Sequence, residues 1–243
     1  MSTVLLLGAT SDIAQATAHR FAREGYTIQL AARNKTSLES LVSDLSIRYG
    51  VSATAHAFDA TQFDTHSSFY QQLSPTPDIV ISVFGYLGDQ QKGQQDWEEA
   101  LQIVHTNYVG AVSILNIVAE DFVKRNQGTI VGISSVAGDR GRGSNYLYGS
   151  AKAGFTAYLS GLRNRLHDTP VSVVTIKPGF VRTSMTEGLD LPPLLTAQPD
   201  EVAEDIYRAV KKKKLIVYTK WYWRWIMLII RLLPESLFKR LHL

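Results

Sequence analysis

The chain of 243 residues contains no cysteine, which excludes a disulfide framework and any thiolate-held metal and fits a reducing compartment; no metal site is expected. Its 8 prolines never gather with glycine and serine into a linker, so nothing divides the chain. Internal repeats and low-complexity tracts are absent. Strong charge of one sign is absent too: the formal net charge is +3, much of it in 211–214 and the segment that follows. No platform of interleaved aromatic and basic residues stands elsewhere, so no nucleic-acid partner is expected. The opening "MSTVLLLGAT" lacks the basic region and small-residue cleavage site of a secretory signal, and a cytoplasmic location is expected. What is present is 45% apolar residues over a length that suits a full α/β core.

Seven apolar, β-rich runs recur with helix-length stretches between them: "TVLLLG", "YTIQLAA", "SATAHAF", "DIVISVFG", "GTIVGISS", "VSVVTIKPG" and "LIVYT". Near-continuous hydrophobic strands separated by helices predict a parallel sheet covered on both faces. The expected fold is therefore α/β, a Rossmann-type doubly wound seven-stranded parallel sheet. A single domain over 1–219 would carry a C-terminal helical appendage over 220–243. Ligands in such sheets bind beyond the carboxyl ends of the strands.

After the first run comes "LLLGATSDIAQATAHRFAREG". A glycine-rich dinucleotide turn uses its first glycine for the tight turn, its second for close approach to pyrophosphate and its third for helix packing. Gly8 fills the first place, while Asp12 and Ala14 stand in the others. An acid near a pyrophosphate repels it unless the carboxylate turns back to cap the helix that holds the phosphate. On this reading Gly8, Thr10, Ser11, Asp12 and Ile13 contact a cofactor. At the end of the second run, "LAARNKTS" offers Arg33 and Asn34 where an acidic residue would favour NAD; an arginine fork suits the 2′-phosphate of NADP, although a solvated loop arginine is the plain alternative. NADP (NADPH) is expected, with NAD as the alternative. Asp59 and Ala60 in "AFDAT" are placed to meet an adenine, or simply to start the next helix.

The stretch "ISSVAGDRGRGSNYLYGSAKAG" carries the chemistry. Tyr148 and Lys152 are four residues apart, on one face of an expected helix. A tyrosine can exchange a proton near neutral pH if a cation favours its phenolate, and Lys152 supplies that charge. Ser135 ends the strand thirteen residues earlier, and "KPGFVRT" follows the next strand.

In these motifs the chain resembles the short-chain dehydrogenase/reductase family, over residues 3 to about 219. The resemblance implies a catalytic tetrad of Asn107, in "HTNYVGA", with Ser135, Tyr148 and Lys152. Tyr148 would protonate the substrate oxygen, Ser135 hold the carbonyl, Lys152 also bind the nicotinamide ribose, and Asn107 anchor a water in the proton relay. Pro178, Gly179, Val181 and Thr183 would grip the carboxamide, and Gly85 would line the cofactor. The family's usual Asn-Asn-Ala-Gly reads "SVFG" here. Taken singly, each residue also has a bland use as a cap, a turn hydroxyl or a half-buried helix residue.

A narrower resemblance, in "TVLLLGATSDIA", "DIVISVFGYLGD", "GDRGRGSNYLYGSAKAGF", "KPGFVRTSM" and the Trp-rich tail, is to those members that reduce the 2-keto group of a polyprenyl-phosphoryl pentose. It implies a lipid-linked carbonyl substrate and an FAD-containing oxidase as partner. The alternatives are a soluble sugar, steroid or acyl carbonyl, or a non-catalytic NADP-binding scaffold. A homo-oligomer is expected.

Two further expectations concern the mouth of the site. Arg140 and Arg142 could clamp an anionic substrate group, or be solvated loop residues. Residues 221–233 carry Arg224 and Arg231 and are too short to cross a bilayer, which takes about 20 apolar residues. Helical numbering places Trp221, Trp225, Leu228 and Leu232 on one face, suited to the inner surface of a membrane; a buried oligomer or partner contact is the rival use.

Overall fold

The computed structural model describes residues 2–241; the last two positions of the expected tail, 242 and 243, lie outside them. The elements run β1 (Thr3–Leu7), α1 (Asp12–Ala22), β2 (Thr27–Ala32), α2 (Glu39–Tyr49), β3 (Ala53–Ala57), α3 (His66–Gln71), β4 (Ile79–Ser82), α4 (Gln90–Gly93) and α5 (Trp97–Val104). They continue through a π-helical turn (His105–Val109), α6 (Gly110–Arg125), β5 (Thr129–Ile133), α7 (Tyr146–Arg165), β6 (Ser172–Lys177), β7 (Phe180–Val181), β8 (Thr196–Ala197), α8 (Pro199–Lys211), β9 (Ile216–Tyr218), α9 (Trp223–Leu232) and α10 (Glu235–Phe238).

Seven strands form one parallel sheet, as expected, and run in the order β3-β2-β1-β4-β5-β6-β9; the two-residue β7 and β8 pair separately. Alternation along β1 shows why the sheet is covered twice. Val4 and Leu6 face one core with Phe21 of α1, Leu45 of α2 and Ile206 of α8. Leu5 and Leu7 face the other, with Tyr70 of α3, Leu115 and Phe122 of α6 and Phe155 and Leu159 of α7. All four strand side chains are fully buried, so either period-2 face drives packing.

The strand order reverses between β1 and β4, which opens a crevice at their carboxyl ends. The fourth strand is shorter than its apolar run suggested: β4 stops at Ser82, and 83–88 leave the sheet to wall the crevice. The tail is helical but does not hang free. Trp223 and Met227 of α9 are buried in a third small core with Val136, beside Phe180, Leu195 and Tyr218.

Candidate active site

At the bottom of the crevice Gly8 takes φ +88°, and a β-carbon there would stand 2.6 Å from the backbone nitrogen of Phe84. Leu7 explains the closeness: its carbonyl accepts from both Val83 N–H (2.9 Å) and Phe84 N–H (3.1 Å), drawing the loop after β4 across the turn after β1. Only glycine fits there. Ser11 then caps α1, its hydroxyl accepting from Ala14 N–H at 3.2 Å. The cap expected of Asp12 is thus a correction. Ser11 has the extended backbone a cap needs, whereas Asp12 is already inside the helix. The Asp12 carboxylate reaches across the crevice instead and accepts from both N–H and hydroxyl of Ser184, each at 2.8 Å. That turns one carboxylate oxygen toward Ser184 and ties the loop after β7 to the turn after β1.

A cavity of about 540 Å³ fills this crevice, lined by Gly8, Thr10, Ser11, Asp12, Ile13, Arg33, Asp59, Ala60, Gly85 and Thr183 among others. The remaining cofactor candidates are used differently. Asn34 caps the short turn after β2, its carbonyl oxygen accepting from Thr36 N–H at 3.0 Å. Val181 is buried in β7, and the Pro178 carbonyl accepts from Val136 N–H at 3.0 Å. Gly179 is pressed against the indole of Trp223, so its open side meets the tail rather than the cavity. Asp59 holds Thr61 through N–H (2.9 Å) and hydroxyl (2.7 Å), the turn-forming use, while still lining the cavity.

On the far side of β4 and β5 stand the side chains with chemistry. Ser135 follows β5 and opens a short turn over Val136–Gly138, its oxygen accepting from Ala137 N–H at 3.1 Å. The Tyr148 hydroxyl faces the Ser135 side chain, whose nearness favours the phenolate. Tyr148 is half-exposed as a residue, but burial of its hydroxyl pushes the phenol up to about 12, opposed by the nearby Ser135 hydroxyl. The lowering expected from Lys152 is thus a correction: desolvation dominates, and Lys152 is not among the groups that shift the phenol. Lys152, one turn along α7, is buried; its ammonium donates to the Ile133 carbonyl at 3.1 Å and lies 5.7 Å from the Tyr148 ring centre. Burial lowers it to about 8. Ser134 braces the helix beneath, its hydroxyl donating to the Lys152 carbonyl at 3.1 Å.

Asn107 sits in the π turn, buried, and its side-chain amide is occupied by protein. The NH2 donates to the carbonyls of Tyr86 (2.6 Å) and Ile103 (2.8 Å), and the oxygen accepts from Tyr86 N–H at 3.2 Å. It clamps the wall formed by 83–88. Tyr86 in turn donates its hydroxyl to Glu99 at 2.9 Å, and Glu99 also accepts from Asp89 N–H at 2.9 Å, which together hold its carboxyl below the usual range. Sequence patterns gave no signal for Glu99, because its partners come from another element.

Arg140 is the clearest correction. Its guanidinium donates to the carbonyls of Ile230 (2.8 Å), Arg231 (3.2 Å) and Leu233 (2.7 Å), meets Glu235 at 2.7 Å and lies 4.0 Å over the Phe238 ring. Unpaired carbonyls at a helix C-terminus attract a cation, and the fork is used there rather than on a substrate anion. Arg142 is likewise covered by the tail. It donates to Met227 Sδ at 3.6 Å, its Nε has no hydrogen-bond partner among the described residues, and burial lowers its pKa. The expected clamp is absent. Beneath both, Asp139 forms a buried pair with Lys177 (2.5 Å) and accepts from Tyr218 hydroxyl at 2.8 Å, fixing the end of the Ser135 turn to β6 and β9.

The residues fit a nicotinamide dinucleotide. Gly85 leaves an open cradle in which a β-carbon would stand 3.0 Å from Asn107 Oδ1 and 3.5 Å from Lys152 Nζ. The cavity joins the first turn of α1, where free amides favour phosphate, to the Arg33 fork.

A sequence model of the short chain dehydrogenases matches residues 2–192. An uncharacterized oxidoreductase of Mycobacterium tuberculosis is 37% identical over 98% of this chain and 96% of its own. Among solved structures, a short-chain dehydrogenase from Sphingobium yanoikuyae in complex with NADPH is 25% identical, with a TM-score of 0.84 over 97% of this chain and 98% of that one. An actinorhodin polyketide ketoreductase with NADPH, 22% identical, shares the fold with a TM-score of 0.80 over 89% and 95% of the two chains.

Proposed function

The chain belongs to the short-chain dehydrogenase family, and from that premise we propose that it uses NADPH to reduce a keto group to a secondary alcohol, with Ser135, Tyr148 and Lys152 as catalytic residues. The observation that carries this reading is the buried Lys152 ammonium 5.7 Å from the Tyr148 ring centre, one helical turn along α7, with the Tyr148 hydroxyl facing Ser135.

NADPH, when bound, supplies hydride to the carbonyl carbon. Gly8, Thr10, Ser11 and Ile13 would hold its pyrophosphate at the start of α1, Arg33 its 2′-phosphate, and Lys152 its nicotinamide ribose. Ser135 donates a hydrogen bond to the substrate carbonyl oxygen. Tyr148, with its pKa raised, keeps its proton at neutral pH and delivers it to that oxygen as negative charge develops there. The Lys152 ammonium then stabilises the phenolate left behind. Asn107 contributes by holding Tyr86, and with it the wall of the cavity.

For the substrate we propose the 2-keto group of a polyprenyl-phosphoryl pentose, delivered by an FAD-containing oxidase, with the protein cytoplasmic or peripheral at the inner face of the membrane. Support comes from the narrower sequence resemblance and the apolar tail beside the site. The engagement of Arg140 with the tail favours a second reading, a bulky neutral ketone with no phosphate to hold. Incubation of the protein with the 2-keto polyprenyl-phosphoryl pentose and NADPH deuterated at C4 decides between them. Deuterium at C2 of the product pentose supports the first reading. Turnover of neutral ketones alone supports the second, and no NADPH oxidation with either would overturn the reductase reading.

A further inference from the structure

The helix α9 is apolar on two opposite faces, and only one of them is covered. Trp223 and Met227 point into the body, while Trp225, Leu228, Ile229 and Leu232, at spacings of three, one and three, lie on the outer face. Trp221 precedes them, and through Tyr222, whose hydroxyl donates to the Leu194 carbonyl, the surface continues to the loop after β7. Exposure along this surface runs from 43% at Leu228 to 85% at Leu194. A helix with apolar residues on opposite faces belongs against apolar surroundings on both. So continuous an exposed patch marks a docking site.

Charge decides the occupant. Arg224 and Arg231, seven residues apart, are exposed along one border of the apolar face, and 212–214 add three exposed lysines nearby in the chain. Between 211 and 241 there is one acid, Glu235, and it is engaged by Arg140. A second copy docked through this face would bring these cations against their own kind. An anionic lipid surface complements them, and tryptophan rings prefer the boundary between headgroups and acyl chains. The helix has ten residues, about 15 Å, so it lies in the plane of the interface rather than across it.

We infer that the outer face of α9, with Trp221 and Leu194, is a membrane-docking surface selective for anionic lipid. The surface is rigidly tied to the active site: Trp223 and Met227 pack on Val136, the residue after Ser135, and Ser184 and Met185 of the adjoining loop line the cavity. Docking therefore presents the mouth of the site to the lipid. The contact itself is independent of the reaction; only the entry of a lipid-borne ketone there rests on the reductase reading.

The test mixes the full-length protein with vesicles of phosphatidylcholine alone or of phosphatidylcholine with phosphatidylglycerol, and follows sedimentation and tryptophan emission. Binding to the anionic vesicles is expected, with emission shifted to the blue and an affinity that falls as salt rises. The triple variant Trp225→Ser, Ile229→Ser, Leu232→Ser is expected to lose partitioning by about tenfold or more while keeping its thermal midpoint and NADPH binding. Full-length protein that stays in the supernatant with both vesicles overturns the inference. So does a dimer that the triple variant dissociates without any vesicle binding, which would assign the face to a second copy. NADPH-driven reduction of a soluble ketone, measured on the same preparations, separates a failure of the contact from a failure of the reductase reading.

Discussion

Trp223 lies so close to Gly179 that a β-carbon on the glycine would stand 2.0 Å from the indole Nε1, the atom that donates to the Leu195 carbonyl at 3.1 Å. The tail and the loop after β6 are therefore fitted to each other at one hydrogen atom's width. Gly179→Ala forces the indole outward. A loss of about 1–3 kcal/mol is expected, the usual cost of overpacking, read as a lower midpoint in thermal unfolding. An unchanged midpoint would show that the indole moves freely.

Arg140→Ala removes the cation from the C-terminal carbonyls of α9. The expected result is faster proteolytic cleavage within 223–240 and equal loss of turnover on phosphorylated and neutral ketones, because the side chain touches the tail and not the substrate. Selective loss on phosphorylated substrates would restore the anion clamp.

Tyr148→Phe keeps the ring and removes the acid. Turnover is expected to fall by roughly 10²- to 10⁴-fold, with NADPH affinity unchanged within a few-fold. Steady-state rates and a fluorescence titration of NADPH check both halves.

Lys152 is held at about 8 by burial, against 10.5 in the open. Below about 8 the folded protein carries a buried charge and the penalty is full. Between about 8 and 10.5 the folded protein sheds the proton while the unfolded chain keeps it, so stability from this group rises with pH across that window and is flat above it. Lys152→Met should thus be more stable than the parent at pH 7, by about 1–3 kcal/mol after loss of the bond to Ile133. It should also be nearly inactive. Unfolding curves at pH 7 and pH 10 test the sign, since the advantage must shrink at the higher pH.

Arg33→Ala tests the coenzyme. If its guanidinium holds the 2′-phosphate, the Michaelis constant for NADPH rises about tenfold or more while that for NADH barely moves. Equal changes would leave Arg33 a surface charge.

Much of the sheet could be read from the chain because parallel strands buried on both faces leave a near-continuous apolar run, as "TVLLL" does in β1. Tyr148 and Lys152 were legible for a similar reason: their relation is local, four residues on one helix. Asp12 and Arg140 were misread because their partners, Ser184 and the carbonyl of Ile230, lie 172 and 90 residues away. A charged side chain in a loop shows its type but not its counterpart, and a free fork and an occupied fork look alike in sequence.

The π turn at 105–109 has a consequence for how this chain can vary. Gly110 donates to the His105 carbonyl five residues back, so the continuous helix from Trp97 to Arg125 carries one residue more than a regular ladder would hold. Deleting one residue there would let the ladder close as a regular helix with α5 and α6 kept in phase, because the wide turn is what absorbs the extra residue, and it would draw Asn107 out of the bulge and off Tyr86. At this position the fold depends on a length as well as on residue types. Substitutions that keep the count are the tolerable changes, and a gap of one position would regularise the helix while releasing the wall of the cavity.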